Sequence, residues 1–422
     1  MINSIKKFRQ TVFLDTNTEL VRPFINKAKV LRAKKYRHSL YFARETAKMI
    51  LTNKELEKNA KKSRISFCGF ATHSKNVKLV KANKGKFMFN GSTSCNAIWR
   101  CPVCSLKILK GRAKELYSIT SQHLKESPTN EMGFLTLTVK HTRKDNLKDT
   151  LAFLNDSWRS LQNQKFFRNM KKEGNYLGQI KALEITHTKL NGWHPHLHII
   201  LFWQNLTSEQ VLQNQHIILN RWVDWTNGKA QAQNSKIVYN TDISEYVTKW
   251  DSIQELTNDF SKKSEGIKPF QLLNLIHENQ TIYDYKCLKS SLNRCKAMYR
   301  EYVEATRGKH RIGISRNLNA LYKVESKTDQ ELVNEIDIED IIMSFEREIW
   351  ALINLNDLQP HILDIATEKN SLFISGDMPL FKQKCTTEIL NLLNEFQQVN
   401  VTERNVDGID FYHLSATKQI NN

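Results

Sequence analysis

The fold is decided by the stretch Gly192-Trp193-His194-Pro195-His196-Leu197-His198-Ile199-Ile200-Leu201-Phe202. Its apolar run predicts a β-strand, whose side chains point alternately to the two faces of a sheet. His196 and His198 are two residues apart, so both imidazoles lie on one face. The apolar residues at 197, 199 and 201 face a core on the other side. Two neutral imidazoles on a rigid strand are suited to bind a divalent metal ion.

A third metal ligand is expected from the preceding strand, across a hairpin that Asn191-Gly192 indicates. With a two-residue turn, His187 faces His196. With a three-residue loop, 190–192, Glu184 faces His198 instead. A slip of one residue exchanges the two faces, so only one of these arrangements can hold.

We favour the three-residue loop for two reasons. It places Gly192 at the left-handed position of a bulged loop, which glycine adopts without strain. It also supplies a carboxylate, the hard oxygen ligand that Mg²⁺ and Mn²⁺ prefer. Glu184 is therefore the predicted third ligand, and His187 is the alternative.

A helix is predicted downstream, with Thr241 or Asp242 as its N-cap. Its apolar residues at 243, 247 and 250 form a buried stripe, and a second stripe carries Tyr246 and Lys249. A phenol has a pKa of about 10 and is a poor nucleophile unless neighbouring charges stabilise its anion. The residues alone leave open whether this pair is catalytic or a half-buried tyrosine beside a solvated lysine.

Four of the seven cysteines have spacing that suggests a zinc site. Cys101-x-x-Cys104 is a common zinc half-site, and Cys95 is close enough in sequence to be a third ligand. Cys68 is the predicted fourth ligand, with His73 as a competitor. The alternative is a set of reduced, buried cysteines without a metal.

Composition favours a polyanionic partner. The 422 residues include 63 Lys and Arg but only 43 Asp and Glu, a net charge of +20. Few cysteines argue against a secreted disulfide scaffold, and the lack of an 18-residue apolar run or an apolar signal core argues against a membrane protein. We therefore expect a cytoplasmic, DNA-binding protein.

The charge is unevenly distributed along the chain. Residues 316–422 carry 9 basic and 18 acidic residues, a net charge of −9, so residues 1–315 have a net charge of +29. Basic clusters for phosphate contact are predicted at 27–48, which includes Lys34, Arg37 and Arg44, and at 307–316. The acidic region is expected to contact protein rather than DNA.

The ordered motifs resemble those of HUH endonucleases, and in particular the rolling-circle plasmid replication initiators. The resemblance spans roughly residues 65–318. It rests on the strand 134–138, on His196-Leu197-His198, on Tyr246-x-x-Lys249 and on the cysteine motif 95–104. Further similarity lies at 182–186 and 300–311.

This resemblance implies roles for individual residues. His196, His198 and Glu184 would bind a catalytic Mg²⁺ or Mn²⁺, Tyr246 would be the nucleophile, and Lys249 would assist it. Cys68, Cys95, Cys101 and Cys104 would hold a structural Zn²⁺. Independently of the resemblance, the basic charge of the 307–316 cluster makes three cations candidate DNA contacts: Arg307, Lys309 and Arg311.

The implied activity is nicking and rejoining of one strand at a plasmid origin, through a 5′-phosphotyrosyl intermediate that leaves a free 3′-hydroxyl. The implied partners are origin DNA, single-stranded at the nick, and a host helicase and polymerase in a bacterial cytoplasm. The alternatives are an HUH-type transposase and a non-catalytic, zinc-stabilised DNA-binding regulator.

The expected fold is α+β, with a central antiparallel sheet and flanking helices as in HUH endonucleases. We expect four regions: a basic helical N-terminal region (1–60), a cysteine-rich zinc segment (61–115), the catalytic domain (116–315) and an acidic, mainly helical C-terminal region (316–422). Within the catalytic domain, residues 146–170 are predicted to form one helix.

Overall fold

The computed structural model describes residues 21–52, 64–82, 86–238, 266–280, 288–396, 399–406 and 409–416. These residues form an α+β structure with two five-stranded sheets. The strands are β1 (Val77–Ala82), β2 (Lys86–Asn90), β3 (Glu131–Thr138), β4 (Tyr176–Thr188), β5 (Gly192–Trp203), β6 (Asn234–Val238), β7 (Ile312–Ile314), β8 (Ile338–Phe345), β9 (Val399–Val406) and β10 (Ile409–Ala416).

Helices cover the sheets and connect the strands. They are α1 (Val21–Leu51), α2 (Pro102–Glu126), α3 (Leu147–Gln162), α4 (Lys165–Lys172), α5 (Ser208–Thr226), α6 (Pro269–His277), α7 (Leu288–Ala305), α8 (Arg316–Leu321), α9 (Asp329–Asn334), α10 (Arg347–Leu355), α11 (Gln359–Glu368), α12 (Asn370–Ile374) and α13 (Met378–Asn394). Short 3-10 turns occur at Arg64–Phe67 and Ala230–Ala232. No helix in the described ranges is both long and apolar enough to cross a bilayer.

The central sheet has the strand order β6-β3-β5-β4-β7, and all of its neighbours are antiparallel. One face packs Leu197, Ile199 and Leu201 into the main core, as predicted. The other face is also covered at one end, where Ile200 and Phe202 join a core with α2. Burial on both faces explains the continuous apolar run of β5.

Local sequence signals set the boundaries of the helices around this sheet. Cys101 is the N-cap of α2, Pro102 occupies its first turn, and the helix ends at Glu126, two residues before Pro128. Asn146 caps α3 by accepting a hydrogen bond from the backbone N–H of Asp149. The single helix predicted for 146–170 is wrong in one respect, because the chain breaks at residues 163–164 into α3 and α4.

A second sheet includes strands of the acidic C-terminal region, which also contains the helices α8 to α13. Its order is β2-β1-β8-β10-β9, so three strands come from residues after 316. Strand β1 pairs antiparallel with β8, and β8 pairs parallel with β10. The acidic region therefore shares a sheet, and a core that includes Phe89, Phe345, Trp350 and Phe381, with strands of the cysteine-rich segment.

Candidate functional site

The β4–β5 hairpin sets the register of the candidate site. Its loop has three residues, as predicted, but they are 189–191, because Thr188 pairs with Gly192. Gly192 has a φ of +72°, in the left-handed region. Glu184 therefore lies opposite His196, and the predicted pairing with His198 is wrong. The register differs from the predicted one by two residues, so Glu184 keeps the predicted face.

Glu184, His196 and His198, hereafter the acid–histidine cluster, converge on one point. Oε2 of Glu184 is 2.7 Å from Nε2 of His196 and 2.8 Å from Nε2 of His198. The three ligand atoms lie within 4.8 Å of one another, and His198 is buried. Two imidazole nitrogens and a carboxylate oxygen are a donor set that fits a first-row or hard divalent cation.

The surroundings fix the ring of His198 and the charge of Glu184. Oγ1 of Thr136 lies 3.3 Å from Nδ1 of His198. When a metal replaces the Nε2 proton that His198 shares with Glu184, this hydroxyl can accept a hydrogen bond from Nδ1–H. Burial acts to raise the pKa of Glu184, but hydrogen bonds from the two histidines, with the Lys268 ammonium at 3.5 Å from Oε1, hold this pKa well below its usual range. The carboxylate is therefore ionised and available as a ligand.

His187, the alternative ligand, lies on the opposite face of β4. Its ring contacts Trp193 edge-on at 5.0 Å, and its backbone pairs with Ile267. Burial, with the nearby charges of Arg294 and Arg143, lowers its pKa to about 4. The cluster therefore contains Glu184 and not His187.

Sequence reasoning missed two histidines beside the cluster. His194 shares the face of His196, with ring centroids 5.3 Å apart, and its Nδ1 lies 3.2 Å from Nε2 of His141. The i, i+2 alternation along β5 was a sufficient signal for His194. His141 follows β3, and only the tertiary fold brings it to this strand.

The four predicted cysteines form a second cluster. Sγ of Cys68 is 3.7 Å from that of Cys101 and 3.6 Å from that of Cys104, and Sγ of Cys95 is also 3.6 Å from Cys104. All four are buried, and His73 is not among them. A tetrahedral Zn–S distance of about 2.3 Å requires S–S edges of about 3.8 Å, so this spacing fits zinc.

The pKa values of the four thiols shift in opposite directions. Burial raises the pKa of Cys101. For Cys95 the hydrogen bond with Cys101 acts to lower the pKa, but the hydrogen bonds with Cys104 and Cys68, together with burial, raise it. Hydrogen bonds from the other cysteines, together with the Arg44 charge, lower the pKa of Cys68 well below its ordinary value. Hydrogen bonding to Cys101 also lowers the pKa of Cys104. Arg44 is 4% exposed and donates to Glu45 and Gln359. It is therefore an interior cation beside the cluster and not a surface phosphate contact.

The other predicted DNA contacts have different environments. Arg307 is exposed, with a salt bridge to Glu304 on the helix surface. Lys309 is partly buried, and its carbonyl accepts a hydrogen bond from the Trp99 indole. Arg311 is 4% exposed, donates to Ser105 and stacks on Trp99, so its burial removes it from the candidate DNA contacts.

Part of the basic N-terminal helix α1 contacts the acidic C-terminal region instead of solvent. Lys34, Arg37 and His38 of α1 all contact the Asp364 carboxylate of α11. Tyr246 and Lys249 lie outside the described residues, within the range 239–265. Their placement relative to the acid–histidine cluster stays a prediction.

The comparisons with known proteins bear on this combination of sites. A family model described as "Replication protein" matches residues 86–356, which include both clusters except Cys68. The chain belongs to this replication protein family. No solved structure matches the chain.

Curated relatives agree with this family membership. The chain is 26% identical to Protein rep of Lentilactobacillus hilgardii over 228 residues, which cover 50% of this chain and 68% of that protein. It is 30% identical to Protein rep of Staphylococcus aureus over 152 residues, 35% of this chain and 59% of that protein. A match at 27% identity covers 30% of this chain but only a third of Protein rep of Streptomyces lividans.

Proposed function

We propose that this replication protein is a rolling-circle plasmid initiator that nicks and rejoins one strand of its origin. The observation that carries the proposal is the acid–histidine cluster, in which two imidazole Nε2 atoms and one carboxylate oxygen converge within the family-matched segment. Family membership favours this reading over a transposase or a non-catalytic regulator. We further propose that the central sheet is that of an HUH endonuclease.

The proposed cofactor is Mg²⁺ or Mn²⁺, held by Glu184, His196 and His198. When bound, such an ion supplies Lewis-acid stabilisation of charge on the phosphate oxygens. The low pKa of Glu184 keeps its oxygen deprotonated for this role. Thr136 orients His198, and the Lys268 ammonium adds positive charge beside Glu184.

The proposed chemistry is transesterification by Tyr246. The phenol oxygen forms a bond to phosphorus as the bond from phosphorus to the 3′-oxygen breaks. The phenol loses its proton, and the departing 3′-oxygen gains one to become a free 3′-hydroxyl that primes a host polymerase. Lys249 stabilises the developing phenolate. The number of phosphoester bonds is conserved, so rejoining requires no nucleotide cofactor.

The cysteine cluster is proposed to hold a structural Zn²⁺. Its ligands come from the turn before α2, from the start of α2 and from the 3-10 turn region that follows α1. A closed site of four thiolates has no open position for chemistry, which is typical of structural zinc. The proposed partners are origin DNA and a host helicase and polymerase, in the bacterial cytoplasm.

Covalent trapping tests this function. The full-length protein is incubated with Mn²⁺ and labelled single strands that tile the replicon's origin, and adducts are mapped by mass spectrometry. We expect an adduct on Tyr246 that Tyr246→Phe abolishes, whereas Tyr117→Phe, which alters an exposed phenol on α2, retains it. Substitution of Tyr239, Tyr283 or Tyr285 controls for other tyrosines outside the described residues. Persistence of the adduct in Tyr246→Phe would refute the assignment.

A further inference from the structure

The loop between β3 and α3, residues 139–146, lies on the same face of β5 as the acid–histidine cluster. A Cβ atom added to Gly192 would lie 3.0 Å from Cα of Arg143. Two residues along the strand, His194 contacts His141 of the same loop. Side chains of alternate residues lie on one face of a strand, so positions 192, 194, 196 and 198 share a face. The loop therefore lies beside the cluster along the same face of β5.

This loop presents cations to solvent. Lys140, Arg143 and Lys144 are all exposed, and within the described ranges none forms a salt bridge. The carboxylate of Asp145 is instead engaged by Thr142, whose backbone N–H and hydroxyl lie 2.6 and 3.0 Å from Oδ2. The acidic side chain thus holds the turn and leaves the three positive charges unneutralised.

The tip of the β4–β5 hairpin adds a further positive charge. Lys189 is also exposed at the hairpin loop. Anions that approach the cluster along this face therefore meet a positive surface.

The spacing matches a nucleic acid strand. A β-strand advances about 3.3 Å per residue, so the four steps from Gly192 to His196 span about 13 Å. One strand of DNA carries a phosphate about every 3.4 Å of helix axis, so a few nucleotides cover this distance. We propose that Lys140, Arg143 and Lys144 bind the phosphates of single-stranded DNA a few nucleotides from the scissile phosphate.

This inference rests on the proposed function for its location, but its test does not depend on cleavage. The full-length protein binds fluorescent oligothymidylate of about 20 nucleotides, without added Mg²⁺ or Mn²⁺, and fluorescence anisotropy gives affinity at several salt concentrations. We compare wild type with the triple variant Lys140→Ala, Arg143→Ala, Lys144→Ala.

The matched control is Lys165→Ala, Arg168→Ala, Lys172→Ala on α4. These residues are exposed and carry the same charge, but α4 precedes the start of β4. That end of the hairpin pairs Tyr176 with Trp203, seven residues from His196 and about 23 Å along the strand.

The loop variant should lose affinity and have a shallower salt dependence. Each phosphate contact contributes about 0.7 to the slope of log K against log salt, so three lost contacts reduce it by about 2. The α4 variant should change the slope by less than about 1. An unchanged slope in the loop variant, or equal losses in both variants, overturns the proposal. If circular dichroism shows that the triple alanine variant is misfolded, the same three residues are replaced by glutamine and the measurement is repeated.

Discussion

The Oε2 atom of Glu184 lies 2.7 Å from Nε2 of His196, directly across the β4–β5 pair. The same oxygen is 2.8 Å from Nε2 of His198, so one carboxylate oxygen contacts both ring nitrogens. A divalent cation bound by these atoms must replace the protons that they share. Metal binding should therefore release protons and weaken as the pH falls.

Glu184→Ala should lower the affinity for Mn²⁺ by at least about tenfold, because it removes the charged ligand of the cluster. The matched control is His187→Gln, three residues away on the same strand but on the opposite face. This variant should bind Mn²⁺ as tightly as wild type. Isothermal titration calorimetry measures both, and an equal loss in His187→Gln would mean that the ligand set is wrong.

Strand alternation made the convergence of Glu184, His196 and His198 predictable from the sequence, whereas the exact register of the hairpin was not predictable. Glu184 and His187 lie on opposite faces of β4, so the choice between them depends only on which face of that strand His196 and His198 share. Gly192 in the loop and the buried face of the hairpin together determine this face. The loop lies at 189–191, one residue earlier than the predicted 190–192. This position depends on how the loop and the strand ends pack. Lys268 reaches Glu184, and His141 reaches the neighbouring His194, from other elements, and no local pattern indicates these contacts.

Zinc should depend on Cys101 and Cys104. The double variant Cys101→Ser, Cys104→Ser should reduce the zinc content from about one ion per chain to near zero, because two of four thiolate ligands are lost. Cys295→Ser changes a fully buried thiol outside the cluster and should retain the ion. Elemental analysis of the purified proteins decides this, and wild-type zinc in the double variant would disprove the site.

The second sheet shows where sequence reasoning about the fold ends. Strand β1 pairs with β8, which joins residues 77–82 to residues 338–345 of the region predicted to be mainly helical. The uneven charge along the chain assigned these two segments to different regions. The distribution of charge reports surface composition, and it does not indicate which strands pair. The contact between Arg37 and Asp364 follows from this packing, so part of the basic helix that was predicted to face DNA faces the acidic region instead.

Acid should destabilise the protein through His187. Its folded-state pKa is about 4 against an ordinary 6.5, so the unfolded chain binds more protons between these values. Stability from neutral His187 is complete above pH 6.5 and is lost as the pH falls toward 4. Between pH 7 and pH 5 this amounts to about 2 kcal/mol.

His187→Gln should therefore reduce the difference in free energy of unfolding between pH 7 and pH 5, measured by urea denaturation without added Mg²⁺ or Mn²⁺. His216→Gln, at an exposed position on α5, is the control and should leave that difference unchanged. The same pH dependence in wild type and His187→Gln would show that the ring is not held neutral by burial.

Asp364 should anchor α1 to the acidic region. It is 4% exposed, lies 2.7 Å from Nε2 of His38 and forms a salt bridge with Arg37. Asp364→Asn leaves the partly buried Arg37 cation without its charged partner, and should lower the free energy of unfolding by about 2 kcal/mol, between the costs typical of exposed and buried pairs. Glu368→Gln, one turn later on α11, removes a solvent-exposed partner of Lys34 and should cost less than about 1 kcal/mol. Urea denaturation of both variants tests the contrast. Similar small losses would mean that α1 is held by its apolar contacts alone, and that its cations remain available to DNA.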